Sequence, residues 1–243
     1  MTTPLENQGY GGNRLKTGVE ELDSMLFGGI PQGSQNLLIG ESGSGKSLLA
    51  FHLLYNNAKQ GKRCVYVAID QKGSDVLRNV NSAFANIRDI SPLMQSGALT
   101  IAEDTTNAQI KTKEDEMTFV AGVLKAVQDS NAQLVAVDSL SLLRALLEDD
   151  RSFTRIVNYM TQSFHELGVT SIITMEVPPD RGEMPGLFEQ SMFDGVIKLV
   201  NTRDGTSVRH TASVQKMRYS KYDGSPITLD MTPNGIMATR SIQ

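Results

Sequence analysis

"QNLLIGESGSGKSLLAFHLLYNNAKQG", residues 35 to 61, decides the fold. Residues 35–40 form a short apolar run ending on glycine, which reads as a buried strand. Residues 46–60 space their apolar side chains with a helical period and stop at Gly61, so a helix follows. Between them "GESGSGKS", Gly40 to Ser47, matches G-x-x-x-x-G-K-[ST] in full, in the strand–loop–helix context the motif demands. Gly40, Glu41, Ser42, Gly43, Ser44 and Gly45 then turn backbone N–H groups toward a phosphate, and the three glycines avoid Cβ clashes. The helix behind them adds the positive end of its dipole. Lys46 is expected to neutralise the β- and γ-phosphates of a nucleotide, and the Ser47 hydroxyl to hold Mg²⁺. Leu48 completes the predicted nucleotide-contacting set.

On either side of this unit, apolar runs alternate with helical patterns. "TGVEELDSML" (17–26) has Thr17 and Glu20 at capping-box spacing and predicts a helix. "RCVYVAID" (63–70), "ALTIAED" (98–104), "AQLVAVD" (132–138) and "VTSIITME" (169–176) predict buried strands. "SDVLRNVNSAF" (74–84), "MTFVAGVLKAVQDS" (117–130) and "SFTRIVNYMTQSFHELG" (152–168) predict helices between them. Such alternation implies a mostly parallel sheet covered on both faces. After residue 179 the pattern changes: residues 195–218 read as two strands joined near "NTRDGT", and "SPITLD" and "NGIMAT" as two more. The expectation is one α/β domain over residues 14–243 with a C-terminal antiparallel extension, preceded by a flexible tail, residues 1–13.

A chain of 243 residues with 40% hydrophobic and 21% charged residues has the composition of a soluble globular protein. A net charge of −4 argues against nucleic acid as an obligatory partner, which would want a basic face. Cys64 is the single cysteine and reads as a small apolar filler in a strand. No apolar run reaches the length of a membrane helix, and the polar N-terminus has no signal-peptide core, so a reducing cytoplasmic setting is the default. His52, His165 and His210 show no metal-ligand spacing.

The cation needs a carboxylate at the end of another buried strand, and Asp138 closes "AQLVAVD" in that position. "YVAID", 66 to 70, ends on Asp70 with the neutral Gln71 behind it. Asp70 is the candidate to activate the attacking water and Gln71 to orient it, while both also suit the start of a turn. Lys216 and Arg218 flank Met217 and read, by alternation, as two solvated charges on an edge strand. Glu176, ending "SIITME", reads equally as a salt-bridged strand end or as a sensor of the terminal phosphate.

Residues 15–70, "LKTGVEELDSMLFGGIPQGSQNLLIGESGSGKS" onward, resemble the opening of a KaiC-type domain of the RecA superfamily. Such domains carry a T-G-x-x-x-L-D-x-x-L-x-G-G-I-P-x-G lead-in. The likeness continues through "LVAVDSLSLL", "GVTSIITME" and "FDGVIKLV" to "SVQKMR", ending at Arg218. It implies a RecA-like fold with Mg·ATP bound between the subunits of a homo-oligomeric ring, usually a hexamer. It also implies that Lys216 and Arg218 reach the γ-phosphate held by a neighbouring copy, and that Thr174 and Glu176 match a Thr-x-Glu of the family. Two adjacent glutamates typical of the family align here with Asp70 and Gln71. The shorter Asp70 falls roughly 1 to 1.5 Å short unless the backbone shifts, and a displacement of ~1 Å can cost on the order of a hundredfold in rate. The expected activity is therefore slow ATP hydrolysis driving a conformational or regulatory switch. Two alternatives stand beside it: a nearly non-hydrolysing assembly subunit of the FlaH type, and a RecA/RadA paralogue in DNA recombination. Residues 177–192 hold Arg181 against Asp180, Glu183 and Glu189, a poor grip for phosphates. Met184, Phe188 and Met192 suit a protein contact or plain packing, and Ser191 reads as a turn residue.

Overall fold

Side-chain parity along the strands sorts the interior onto two faces of one sheet. The computed structural model describes residues 12–87, 90–103, 110, 112–147, 149–177, 191–204 and 207–240. Among them the chain runs β1 (Arg14–Leu15), α1 (Glu20–Met25), β2 (Ile30–Pro31), β3 (Gln35–Gly40), α2 (Lys46–Lys59), β4 (Cys64–Ala68) and α3 (Gly73–Ala83). It continues through α4 (Ile90–Gln95), β5 (Leu99–Glu103), α5 (Lys113–Asp129), β6 (Leu134–Asp138), α6 (Leu140–Leu146), α7 (Asp150–Glu166) and β7 (Thr170–Glu176). The last four strands are β8 (Gly195–Asp204), β9 (Ser207–Met217), β10 (Ile227–Thr232) and β11 (Gly235–Arg240). The main sheet has the order β11-β10-β9-β8-β3-β7-β6-β4-β5. From β8 to β5 all neighbours are parallel, and from β8 to β11 they are antiparallel. This is the mostly parallel sheet with antiparallel extension that the pattern predicts.

Leu38, Tyr66, Ala68, Leu134, Ala136 and Ile172 face α1 to α4, while Leu37, Ile39, Val65, Val67, Val135, Val137 and Ile173 face α5 to α7. Both faces are dry, as βαβ crossovers require, so the strands read as unbroken apolar runs. Phe51 and Phe84 fill one layer and Phe119, Phe153 and Phe164 the other. Cys64 is buried in this packing, which pushes its thiol up to about 12 and leaves it an inert filler.

Several local expectations need correction. Thr17 does not cap α1; Val19 occupies that position with no side-chain cap. The Thr17 hydroxyl instead donates to Asp23 Oδ1 at 2.9 Å, and its backbone N–H to the same oxygen at 2.7 Å. A capping box forms instead at α5, where Thr112 and Asp115 exchange side-chain and backbone hydrogen bonds. That helix starts four residues before the apolar pattern does, because the capping pair and three acidic residues suit its N-terminal turn. β4 ends at Ala68 rather than Asp70: Ile69 N–H still donates to the Asp138 carbonyl at 2.7 Å, and Asp70 lies beyond, exposed. β9 is an internal strand, and the sheet ends on β11 and β5. At the N-terminus, Gln32 N–H donates to the Asn13 carbonyl at 3.0 Å, so the bonded structure already includes Asn13; residues 1–11 lie outside the described residues.

β3 and β8 approach closely at their first residues. A Cβ on Gly195 would stand 2.2 Å from Asn36 Oδ1 and 2.7 Å from Met217 Cε. Asn36 is held from its other end by the Ser34 and Ser171 carbonyls. Gly195→Ala should therefore overpack this junction and destabilise the fold by about 1–3 kcal/mol, lowering the urea midpoint without changing the slope.

Candidate phosphate-binding site

In an open parallel sheet the strand ends are the places where polar groups can leave the core. Pairing of Gly40 with Glu176, and of Ala68 with Asp138, sets β3, β7, β4 and β6 to finish along one edge. The loop after β3 turns on Gly45, the N-cap of α2, with φ +92°. A Cβ there would stand 2.4 Å from Met231 Cε of β10. A Cβ on Gly40 would meet the Leu199 carbonyl at 2.5 Å and Ser44 Oγ at 2.6 Å. Side chains are thus excluded where the backbone must curl, which leaves its N–H groups to line the concavity.

Lys46 is buried and folded back on the loop, its Nζ donating to the Gly40 carbonyl at 2.9 Å and the Glu41 carbonyl at 2.7 Å. Burial holds its ammonium below the ordinary lysine range, against the opposing pull of Glu176, Asp138 and Glu41. Asp138 is only 2% exposed, a costly place for a carboxylate without partners. Two hydroxyls supply them: Tyr66 donates to Oδ2 and Thr174 to Oδ1. Ser47 opens α2 on the same face of the sheet and lines a cleft with Gly43, Gly45, Lys46, Leu48 and Tyr66. One hydroxyl and one carboxylate suit a hard cation that keeps water and phosphate oxygens as its remaining ligands, so the donor set fits Mg²⁺.

The cleft, ≈ 420 Å³, is walled on its far side by α3 through Val76, Asn79, Val80, Ser82 and Ala83. Motif reasoning missed this wall, and it missed Tyr66 and Met231. Gln71 stands at the mouth, its Oε1 accepting from Asn79 Nδ2 at 3.3 Å. Although Asp70 as a residue is exposed, the protein around its carboxyl partly desolvates it, and this and then the charge of Asp138 push the carboxyl above its ordinary value. Glu176 is exposed at the end of β7, and its backbone N–H donates to Ser141 Oγ at 2.7 Å.

Lys216 and Arg218 are not part of this constellation. Lys216 pairs with Val196, and Gly195 pairs with Asn36, so both cations sit at the opposite edge of the sheet. The four steps from Asn36 to Gly40 alone span roughly 13 Å of strand. Lys216 Nζ donates to the Phe193 carbonyl at 2.7 Å and Arg218 Nη2 to the Ser191 carbonyl at 2.8 Å. Burial, and then the neighbouring Arg218, lower the Lys216 ammonium. Of the acidic loop before them, Arg181, Asp180, Glu183, Glu189, Met184 and Phe188 lie outside the described residues.

A parallel sheet of this order, with a glycine loop closing its central strand, defines the RecA-like P-loop class. Within that class, the family described as "ATPase: KaiC" matches residues 15–241, and the chain belongs to it. A UPF0273 protein of Aeropyrum pernix is 28% identical over 93% of both chains, and one of Pyrococcus horikoshii 27% identical over 92% of this chain and 93% of its own. The circadian clock oscillator protein KaiC of Rippkaea orientalis is 27% identical over 95% of this chain. This chain spans only 45% of that relative's length. A crystal structure of a KaiC-like protein from Pyrococcus horikoshii superposes with a TM-score of 0.80, covering 94% of this chain and 99% of that one at 24% identity, a likeness of fold.

The raised Asp70 carboxyl makes a pH prediction. Its folded-state pKa lies above the unfolded value of 3.8, so between the two the folded state holds more protons and stability falls as pH rises. Asp70→Asn should remove that cost. The variant should unfold at a slightly higher temperature than the parent at pH 7, and the difference should vanish as pH falls through this window.

Proposed function

We propose that residues 14–243 form one Mg·ATP-dependent ATPase domain that works as a homo-oligomeric ring, a hexamer by resemblance. In this reading it hydrolyses ATP slowly to drive a conformational or regulatory switch in the cytoplasm. The observation that carries the reading is the division of the polar and charged groups between two edges of the sheet. Lys46, Ser47, Asp138 and Asp70 gather at one edge, while Lys216 and Arg218 stand at the other. Head-to-tail packing of two copies would bring the edges together and add the two cations to the terminal phosphate.

Within one copy, the loop from Gly40 to Gly45 holds the phosphates through its N–H groups, and Lys46 swings from the Gly40 and Glu41 carbonyls to neutralise them. Ser47 and Asp138 would hold Mg²⁺, which when bound would neutralise phosphate charge. Val76, Val80 and Ala83 of α3 give the cleft an apolar wall against which the nucleobase would lie. Asp70 takes the proton of the attacking water; its raised pKa makes it a better acceptor than an ordinary aspartate. Gln71, fixed by Asn79, orients that water, with Glu176 beside it.

A second reading is favoured by Asp70 and Gln71 themselves. Asp70 lies past the end of β4 and is exposed, while Gln71 cannot take a proton. A subunit that binds ATP as a switch and scarcely turns it over would carry this pair.

Three measurements separate the readings. Lys46→Ala should lower phosphate release by on the order of 10²-fold or more, and unchanged release would sink the assignment of the loop. Asp70→Asn should lose residual hydrolysis while keeping ATP affinity; equal loss of binding would assign Asp70 a structural role instead. An inactive Arg218→Ala chain mixed with an inactive Asp70→Asn chain should recover part of the activity, since some interfaces then combine an intact Asp70 with an intact Arg218. No recovery at any ratio would exclude completion of the site by a second copy.

A further inference from the structure

Neither the motif nor the family resemblance gives Tyr66 a role, yet its phenol lies between the two residues assigned to the cation. Tyr66 is 1% exposed on β4 and packs its ring on Phe51, with centroids 5.9 Å apart. It has the same parity as Ala68, which pairs with Asp138, so it points to the α2 face. The length of the side chain carries its oxygen to the strand end. There the hydroxyl donates to Asp138 Oδ2, while Thr174 donates to Oδ1 from the strand on the other side of β6. The Ser47 hydroxyl neighbours the same phenol oxygen.

A carboxylate oxygen accepts about two hydrogen bonds or ligands, so one hydroxyl on each leaves capacity on both. A lysine or arginine in the place of Tyr66 would fix Asp138 equally well but cancel its charge. A neutral phenol fixes it and leaves the charge available to a cation. We propose that Tyr66 is a positioning residue for the divalent cation. Through its hydroxyl, and with Thr174 as the second donor, it holds Asp138 in the one orientation that meets the cation's ligand shell from across Ser47. The inference rests on the reading that the cleft binds Mg·ATP.

The test separates cation from nucleotide. Tyr66→Phe keeps the ring and its contact with Phe51 and removes only the hydroxyl. Binding of a fluorescent ATP analogue to the full chain is titrated first in EDTA and then against MgCl₂ at fixed nucleotide. Loss of an outer partner of a metal ligand typically weakens metal binding ~10–100-fold, so the Mg²⁺ midpoint should rise by about tenfold or more while affinity in EDTA stays within about twofold. Thr174→Val should shift the midpoint in the same direction, and carries the test alone if Tyr66→Phe does not fold. An unchanged Mg²⁺ midpoint in a folded variant overturns the proposal, as does an equal loss of affinity with and without metal. If the parent chain itself binds the analogue with no dependence on Mg²⁺, the underlying reading fails first and the role of Tyr66 with it.

Discussion

A parallel sheet covered on both faces leaves its polar chemistry only the strand ends. β3, β4, β6 and β7 are buried to both sides, their few polar side chains are neutral except at the strand ends, and an ionised group within their length would be stranded without water. The ladder register therefore acts as the ruler of the site. Because Gly40 pairs with Glu176, Ala68 with Asp138 and Val137 with Ile173, the glycine loop and three acidic positions emerge within two residues of one level. The antiparallel turn at β9 returns two basic residues to the other level. Charge separation between the two edges follows from strand direction alone.

What the sequence makes legible follows the same division. The strand–loop–helix unit is local, so spacing and glycines declare it. Asp138 is also legible, because it closes an unbroken apolar run. The end of β4 was misplaced by two residues because Ile69 is buried and continues the pattern, although it no longer belongs to the ladder. The start of α5 was hidden because an aspartate stands where the usual capping pattern has a glutamate or glutamine. Tyr66 and the α3 wall were invisible for a different reason. Their positions depend on contacts between elements distant in sequence, and an aromatic in a buried strand is ordinarily core. Parity offered the one available signal, since Tyr66 shares a face with Ala68 opposite Asp138.

Asp138 also illustrates why a buried carboxylate here is satisfied by hydroxyls. Pairing with an internal cation would be stronger in isolation but would leave nothing for an external one. Two neutral donors leave a negative centre with its geometry fixed, at the cost of the desolvation that pushes the Tyr66 phenol well above its ordinary range. Stability and chemistry thus make opposite demands on the same few atoms.

The C-terminal hairpin reaches back over the start of the fold. Met231 packs on Gly45, the Pro233 carbonyl accepts from Asn86 N–H at 2.9 Å, and Gly235 lies against the His52 ring. The glycine loop after β3 is therefore seated by a hairpin that lies far along the chain from it. Until β10 has been laid beside β9, Gly45 has no Met231 against it, so the glycine loop lacks this support while the antiparallel strands are unformed. The phosphate loop therefore reaches its final packing only together with the antiparallel end of the sheet.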